Sequence, residues 1–140
     1  MTESDTELLR GRGLRVTQGR LAVLGALERM PHADADAVHR ALAGAGSDLS
    51  VQSVHNVLGD LTAAGVLRRF EPERQAARYE RRIDDNHHHA VCSSCGRVED
   101  VDCVVGAAPC LHADAPPGFA VRTAEVTFVG VCADCVEAAA

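Results

Sequence analysis

Apolar residues in the first part of the chain recur every three or four positions, which is the spacing of amphipathic helices. This pattern predicts three helices, each preceded by a residue whose side chain can cap the first turn. The helices are predicted at about 18–29 after Thr17, 35–43 after Asp34 and 51–64 after Ser50. Their predicted inward residues are Leu21, Leu24, Leu27, Val38, Leu42, Val51, Val54, Leu58 and Leu61.

Two short strands are predicted after the third helix, at 66–70 and 78–80, around a polar loop. Three helices followed by a hairpin are typical of a winged helix-turn-helix domain, which binds double-stranded DNA. The third helix carries a polar face that suits base edges, and the hairpin carries Arg residues that suit phosphates. A small structural bundle with a solvated polar face fits the same pattern, so both interpretations stay open here. The polar face consists of Gln52, His55, Asn56 and Gly59.

The second part of the chain predicts a small α/β sheet. A short strand is predicted at 97–101 and a long, apolar-rich strand at 119–131, with a helix at 103–113 that Gly106 and Pro109 weaken. A sheet of this kind with a free edge is suited to dimerisation, and helix-turn-helix proteins commonly bind DNA as two-fold dimers. The predicted fold class is α+β, with a winged helix-turn-helix domain at 1–80, a linker at 81–86 and an α/β metal-binding dimerisation domain at 87–140.

Charge is distributed unevenly between these two parts. The net charge of −6 argues against nucleic-acid binding when the chain is taken as a whole. However, residues 1–82 hold twelve Arg against eleven acidic residues, whereas residues 83–140 hold two Arg against nine. All fourteen basic residues are Arg, whose planar fork pairs well with phosphates and base edges. The first part therefore remains a candidate for binding DNA.

Composition limits the cellular context that we expect. The first ten residues lack the apolar run of a secretory signal, and no stretch approaches eighteen apolar residues. We therefore expect a cytoplasmic protein without a membrane partner, whose cysteines are reduced. Aromatic residues make up only 3% of the chain, which disfavours a base-stacking platform for single strands.

Two CxxC pairs are the strongest chemical signal in the sequence. They are Cys92-x-x-Cys95 and Cys132-x-x-Cys135, separated by 36 residues. Two such pairs in a short cytosolic chain predict a tetrahedral zinc site made only of thiolates. Because four thiolates leave no position for water, this site is predicted to be structural. Two unrelated redox dithiols are the alternative.

A cluster of histidines precedes the first CxxC pair. On a strand, His87 and His89 point to one face, and two imidazoles on one face can chelate a divalent transition metal. Asp100 and Glu80 are candidates for further ligands, and His32 is one only if the two halves fold together. A small metallohydrolase with an open metal is a distant alternative, and the sequence has no HExxH motif to support it.

These motifs together resemble the ferric uptake regulator (Fur) family over about residues 8–136. The resemblance is carried by Gly13-Leu14-Arg15-Val16-Thr17 with Arg20, the segment Ser50 to Leu67, His87-x-His89-x-x-Cys92-x-x-Cys95-Gly96 and Cys132-x-x-Cys135. It implies a dimeric, metal-dependent transcriptional repressor that binds operator DNA and is not an enzyme. It further implies structural Zn²⁺ and regulatory Fe²⁺ or Mn²⁺, with no small-molecule partner besides metal ions and peroxide.

The resemblance also assigns roles to individual residues. Cys92, Cys95, Cys132 and Cys135 fall on the family's structural zinc ligands. His32, Glu80, His87, His89 and Asp100 fall on its regulatory metal site, which joins both domains. The DNA-binding residues that we expect are Arg15, Arg20, Gln52, Ser53, His55, Asn56, Arg68 and Arg69.

Within the family, the segments Ser53 to Leu61 and Asp102 to Leu111 resemble the branch that controls catalase-peroxidase genes. Asp100 in place of Glu is typical of its peroxide sensors. We therefore expect a peroxide-responsive repressor, with an iron-uptake, zinc or nickel repressor as the alternative. Cys103 and Cys110 are possible redox thiols, or else small buried apolar residues.

Overall fold

Helices dominate the first part of the structure and strands the second. The computed structural model describes residues 3–81, 87–102, 116–120 and 125–139. The chain divides into two compact units, Met1–Ile83 and Asp84–Ala140. The helices of the first unit are α1 (Glu3–Gly11), α2 (Gln18–Arg29), α3 (Ala35–Gly44) and α4 (Val51–Ala63). Its strands are β1 (Ala33–Asp34), β2 (Arg68–Phe70) and β3 (Arg78–Glu80).

The three predicted helices are confirmed as α2, α3 and α4, and each begins at its predicted cap. The hydroxyl of Thr17 accepts a hydrogen bond from the backbone N–H of Arg20 at 3.1 Å. The carboxylate of Asp34 does the same for Ala37 at 2.8 Å. The hydroxyl of Ser50 accepts a hydrogen bond from the backbone N–H of Ser53 at 3.0 Å. These bonds satisfy donors that the first turn of a helix otherwise leaves unpaired.

The core of the first unit contains nearly all of the predicted apolar stripe. Leu24, Val38, Val54, Leu58 and Leu61 are fully buried. Leu21, Leu27 and Leu42 are almost fully buried. The prediction for Val51 is wrong, because this side chain is 41% exposed. Val51 lies in the first turn of α4 at the edge of the apolar stripe, where the helix has fewer neighbours to cover it.

Helix α1 was not predicted, because its sequence is polar and acidic. It packs against α2, and its Leu9 is completely buried. Asp5 is buried as well, and its carboxylate accepts a hydrogen bond from Arg81 at 2.6 Å. The helix therefore belongs to the core of the first unit.

The predicted hairpin is confirmed as β2 and β3, and a third strand joins it. The order is β1-β3-β2 with antiparallel pairing, so that Ala33 lies opposite Tyr79 and Arg68 lies opposite Glu80. Strand β1 has only two residues and was not predicted. Its pairing with β3 connects the segment before α3 to the β2–β3 hairpin, which we call the wing. Residues of three segments therefore lie side by side.

The second unit contains a three-stranded sheet of β4 (His87–Cys92), β5 (Val98–Asp102) and β6 (Thr127–Gly130), followed by helix α5 (Ala133–Ala139). The order is β5-β4-β6, with β5 antiparallel and β6 parallel to the central strand. The predicted strand at 97–101 is confirmed with a shift of one residue. Among the described parts of this chain, no helix is both long and apolar enough to cross a membrane.

One prediction for the second unit is wrong, and another falls on residues that the structure does not describe. The strand predicted from Phe119 is wrong where it can be compared, because residues 119–120 and 125–126 are outside any strand and only Thr127–Gly130 pairs. A run of apolar residues does not make a strand without a partner for its backbone. The helix predicted at 103–113 lies outside the described residues.

Candidate metal centres and nucleic-acid interface

The four predicted zinc ligands come together at one point of the second unit. Cys92 ends β4, Cys95 follows in the turn, Cys132 directly precedes α5 and Cys135 lies in its first turn. Their Sγ atoms all lie within 4.8 Å of one another. The turn is closed by a hydrogen bond from the Gly96 N–H to the Cys92 carbonyl at 2.9 Å, and Gly96 has a φ of 79° that favours glycine.

The spacing of these sulfurs fits a tetrahedral zinc ion. Four sulfurs at about 2.3 Å from a central ion are about 3.8 Å apart at the corners of a tetrahedron. The Sγ atoms of Cys95 and Cys132 are 3.8 Å apart. Borderline-soft thiolates are the donors that Zn²⁺ takes in structural sites.

Electrostatics at this cluster also favour a cation. Backbone N–H groups of Cys132 and Cys95 each donate to the Cys92 Sγ at 3.4 Å, and they lower the pKa of Cys92 to about 6. Hydrogen bonding to the sulfurs of Cys132 and Cys95 raises the pKa of Cys135 to about 12. The backbone donors therefore favour the thiolate form of Cys92, whereas the neighbouring sulfurs favour the thiol form of Cys135. A divalent ion supplies the charge that allows all four to ionise together.

A second group of side chains that could hold a metal ion lies on the sheet of the second unit. His87 and His89 point to the same face of β4, and Asp100 lies opposite His89 on β5. The Nε2 atoms of His87 and His89 are 3.4 Å and 3.5 Å from one oxygen of Asp100. Both imidazoles are buried. His88 points the other way, with its ring centroid 6.5 Å from that of Phe128.

A smaller group lies in the first unit and consists of His32 and Glu80. The Nε2 atom of His32 is 3.1 Å from Oε2 of Glu80, and both residues are buried. His32 has a φ of 69°, which is uncommon for a residue other than glycine. Strained backbone of this kind is found where the surrounding structure fixes a functional side chain.

The two possible redox thiols, Cys103 and Cys110, lie outside the described residues.

The polar face of α4 is exposed as the sequence predicts. Gln52, His55, Asn56 and Gly59 all face solvent, whereas Val54 and Leu58 between them are buried. The side-chain amide of Gln52 donates to Asn56 at 3.0 Å, and Ser53 is half-buried beside the cap. This face therefore offers a row of donors and acceptors that suits the major groove.

Two Arg residues hold helix α4 in place. Arg20 pairs with Asp60 at 3.3 Å and donates to the carbonyl of Arg15 at 2.7 Å. The side chain of Arg15 is exposed. Arg12 donates to the carbonyl of Gly65 at 2.9 Å and so caps the C-terminal end of α4. Sequence reasoning missed Arg12, because a cap from 53 residues away leaves no local signal.

The two wing residues predicted to contact DNA differ in their surroundings. Arg68 lies beside Glu80, with its Nε atom 3.9 Å from the carboxylate. Arg69 is exposed and pairs with Glu71, and a hydrogen bond with Tyr79 is the main cause that raises its pKa. Since successive residues of a strand point to opposite faces, Arg68 and Arg69 face different surroundings.

The described units thus define a winged-helix protein with thiolate and imidazole-carboxylate clusters. The chain matches the Ferric uptake regulator family over residues 11–106. It is 51% identical over 129 residues to the transcriptional regulator FurA of Mycobacterium tuberculosis, which covers 92% of this chain and 88% of that protein.

Solved structures show the same likeness. The ferric uptake regulator of Pseudomonas aeruginosa with manganese is 27% identical, with a TM-score of 0.76 over 92% of this chain and 98% of that one. PerR from Streptococcus pyogenes, described by its peroxide sensing, is 26% identical, with a TM-score of 0.51 over 95% of this chain and 91% of that one.

This chain belongs to the ferric uptake regulator family. It is therefore a metal-responsive transcriptional regulator and not an enzyme. The metallohydrolase alternative is set aside.

Proposed function

We propose that this protein is an iron-responsive repressor that binds operator DNA as a homodimer in the cytoplasm. The observation that carries the proposal is the donor set of the two clusters, which consists of buried imidazoles with the carboxylates of Glu80 and Asp100. Such donors suit Fe²⁺ and Mn²⁺, whereas the thiolate cluster suits Zn²⁺. The relatives of similar length are named as regulators of ferric uptake or as FurA, which supports the iron-responsive alternative over peroxide sensing.

The regulatory metal site is proposed to use both clusters. His32 and Glu80 supply two donors, and His87, His89 and Asp100 supply three. The second set, with two imidazoles and one carboxylate, is a donor set that Fe²⁺ takes in proteins, and the first set adds an imidazole and a carboxylate. The family resemblance implies that one ion takes ligands from both sets. Metal binding would then favour the DNA-competent state by its differential affinity.

The Cys92, Cys95, Cys132 and Cys135 cluster is proposed to hold structural Zn²⁺. When bound, zinc supplies the positive charge that the four sulfurs lack. The residues themselves connect the end of β4 to the start of α5. Zinc binding at such a cluster contributes directly to the folding free energy of the unit.

Operator recognition is assigned to α4 and its surroundings. Gln52, His55 and Asn56 are proposed to contact base edges, because they are exposed on one face of α4. The proposed phosphate contacts are Arg15, Arg20, Ser53, Arg68 and Arg69.

The proposed homodimer is supported by the edge strand of the second sheet. Strand β6 is the outer neighbour of β4, and all four of its residues are exposed. Phe128 is 51% exposed and Val129 69%. An exposed apolar edge strand is a liability that a second copy of the chain removes.

The experiment that tests the proposal measures DNA affinity as a function of metal. Operator fragments are selected from random DNA, and their affinity for the zinc-loaded protein is measured with Fe²⁺ under anaerobic conditions, with Mn²⁺ and with no added metal. Tighter binding with Fe²⁺ or Mn²⁺ supports an iron-responsive repressor. Equal binding in all three conditions contradicts it.

Peroxide sensing is a second candidate, favoured by the pairing of Asp100 with two buried imidazoles. Bound Fe²⁺ would supply the reductant for peroxide, and the rings of His32 and His87 would be the nearby targets for oxidation. Thiol oxidation at Cys103 or Cys110 is the other route. Mass spectrometry of the iron-loaded protein after peroxide separates them: one added oxygen on a histidine peptide supports the first route, and changes confined to cysteine peptides support the second.

A further inference from the structure

Three side chains lie in one row across the sheet of the first unit. Glu80 belongs to the central strand β3, and Arg68 is its direct partner on β2. On the other side, Ala33 is paired with Tyr79, so that His32, one residue earlier, comes level with Glu80. A hydrogen bond from the His32 N–H to the Tyr79 carbonyl at 3.2 Å extends this pairing.

Each oxygen of Glu80 has its own partner in this row. His32 lies 3.1 Å from Oε2, and the Nε atom of Arg68 lies 3.9 Å from Oε1. The Glu80 side chain is only 2% exposed, and that of Arg68 is 17% exposed. A carboxylate at this depth requires a compensating charge, because desolvation strongly disfavours an unpaired ion.

Arg68 supplies a charge that cannot be switched off. A guanidinium stays protonated at every pH that a protein survives, so Arg68 can move away but cannot become neutral. A divalent ion that binds Glu80 must therefore bind beside this positive charge or displace it. At this degree of burial, water and salt screen the repulsion only partly.

We propose that Arg68 competes with the regulatory metal ion for the charge of Glu80 and thereby raises the metal concentration at which the ion binds. This inference rests on the proposed function, in that Glu80 has to be a metal ligand. It gives Arg68 a role in setting the metal threshold, besides the DNA contact predicted from the sequence. Arg68 is a positioning residue in this scheme and touches neither the ion nor a reacting atom.

Arg69 provides a matched control on the same strand. It carries the same charge one residue further on, and it pairs with Glu71 and Tyr79 instead of Glu80. Its side chain is 45% exposed, so water screens its charge well. Removing the charge of Arg69 should leave metal binding at Glu80 nearly unchanged.

The test measures Mn²⁺ affinity of the zinc-loaded, full-length protein from the electron paramagnetic resonance signal of free Mn²⁺. Arg68→Gln should bind Mn²⁺ about tenfold more tightly than the wild type, because a nearby positive charge has been removed. Arg68→Met is made in parallel, so that at least one neutral variant can be compared if the other does not fold. Arg69→Gln and Arg68→Lys should stay within about twofold of the wild type.

The outcomes separate this inference from the proposed function. If the wild-type protein takes up no Mn²⁺ beyond its zinc, Glu80 is not part of a metal site and the proposed function fails with it. If the wild type binds Mn²⁺ but the neutral Arg68 variants bind it equally or more weakly, the competition is overturned and the metal site stands. An equal gain in Arg69→Gln also overturns the inference, since a general charge effect would then explain it.

Discussion

The Sγ atoms of Cys95 and Cys132 lie 3.8 Å apart although the two residues are 37 positions apart in the chain. This contact joins the turn after β4 to the start of α5. The ion pair of Arg97 with Asp134, at 3.1 Å, spans the same two segments, but both side chains are exposed and the pair contributes little. The thiolate cluster is therefore the main connection between these segments in the part of the second unit that the structure describes.

Replacement of Cys95 by Ser should remove the zinc and unfold much of the second unit. A structural zinc ion contributes about 10 kcal/mol or more of apparent folding free energy at neutral pH, which is comparable to the whole stability of a domain. Zinc content by elemental analysis and circular dichroism would both fall, and the protein should no longer dimerise. Cys103→Ser, a cysteine outside the cluster, should retain one zinc per chain. A Cys95→Ser protein with normal zinc content and an intact spectrum would contradict the assignment.

Replacement of Gly65 by Ala should destabilise the first unit by about 1–2 kcal/mol. Gly65 has a φ of 76°, and an added Cβ would lie 2.6 Å from the Arg12 guanidinium that caps α4. Gly59→Ala, inside α4, is the matched control, since nothing lies within 4 Å of an added Cβ there. It should stabilise α4 by about 0.5–1 kcal/mol through helix propensity. Thermal unfolding measures both, and a Gly65→Ala protein as stable as Gly59→Ala would contradict the left-handed backbone at Gly65.

Replacement of Arg81 by Ala should destabilise the first unit by about 1–3 kcal/mol, because Asp5 would be left buried without its partner. Arg81 also donates to the Leu24 carbonyl at 3.3 Å, so that one side chain connects α1 and α2 to the end of the wing. Glu28 pairs with Arg81 as well, but its side chain is 71% exposed. Glu28→Ala should therefore change the urea midpoint very little. Equal midpoints for the two variants would show that α1 is not anchored by Arg81.

Replacement of Arg15 by Ala should weaken binding to all DNA sequences and lower the salt dependence of the affinity by about one unit of slope. The side chain is exposed beside α4, which suits a phosphate contact. Arg10→Ala, an exposed Arg at the end of α1, serves as the control for general charge. Affinities for one operator and one random duplex at several salt concentrations test this. An unchanged slope in Arg15→Ala would exclude the phosphate contact.

Local patterns explain why so much of the first unit could be predicted. The caps at Thr17, Asp34 and Ser50 act within three residues along the chain, and helical periodicity is local too. Helix α1 offers only two apolar residues, Leu8 and Leu9, for a pattern to show, and its buried Asp5 pairs with Arg81, 76 positions later. Strand β1 is two residues long and exists only through its pairing with β3. Such long-range partners cannot be read from a single sequence.

The candidate functional sites also combine features that follow from local sequence with features that depend on distant partners. The regular CxxC spacing identified the thiolate cluster, and strand alternation placed His87 and His89 on one face. The sequence could not reveal that Arg68 lies against Glu80, because both belong to short strands whose register depends on the fold. The strand predicted from Phe119 failed for a related reason, since apolar residues alone do not provide a pairing partner.

The most direct test of the account compares the DNA affinity of the wild type and of His89→Ala as Mn²⁺ is added, by fluorescence anisotropy on a selected operator. His89 is buried beside Asp100 in the second unit, and it is not one of the residues proposed to contact DNA. The wild type should bind about tenfold or more tightly with Mn²⁺, a coupling that is ordinary for allosteric proteins. His89→Ala should keep its zinc and its fold and show the same weak affinity with and without Mn²⁺. A wild type indifferent to Mn²⁺, or a His89→Ala protein that still responds to it, would contradict metal control of DNA binding through this cluster.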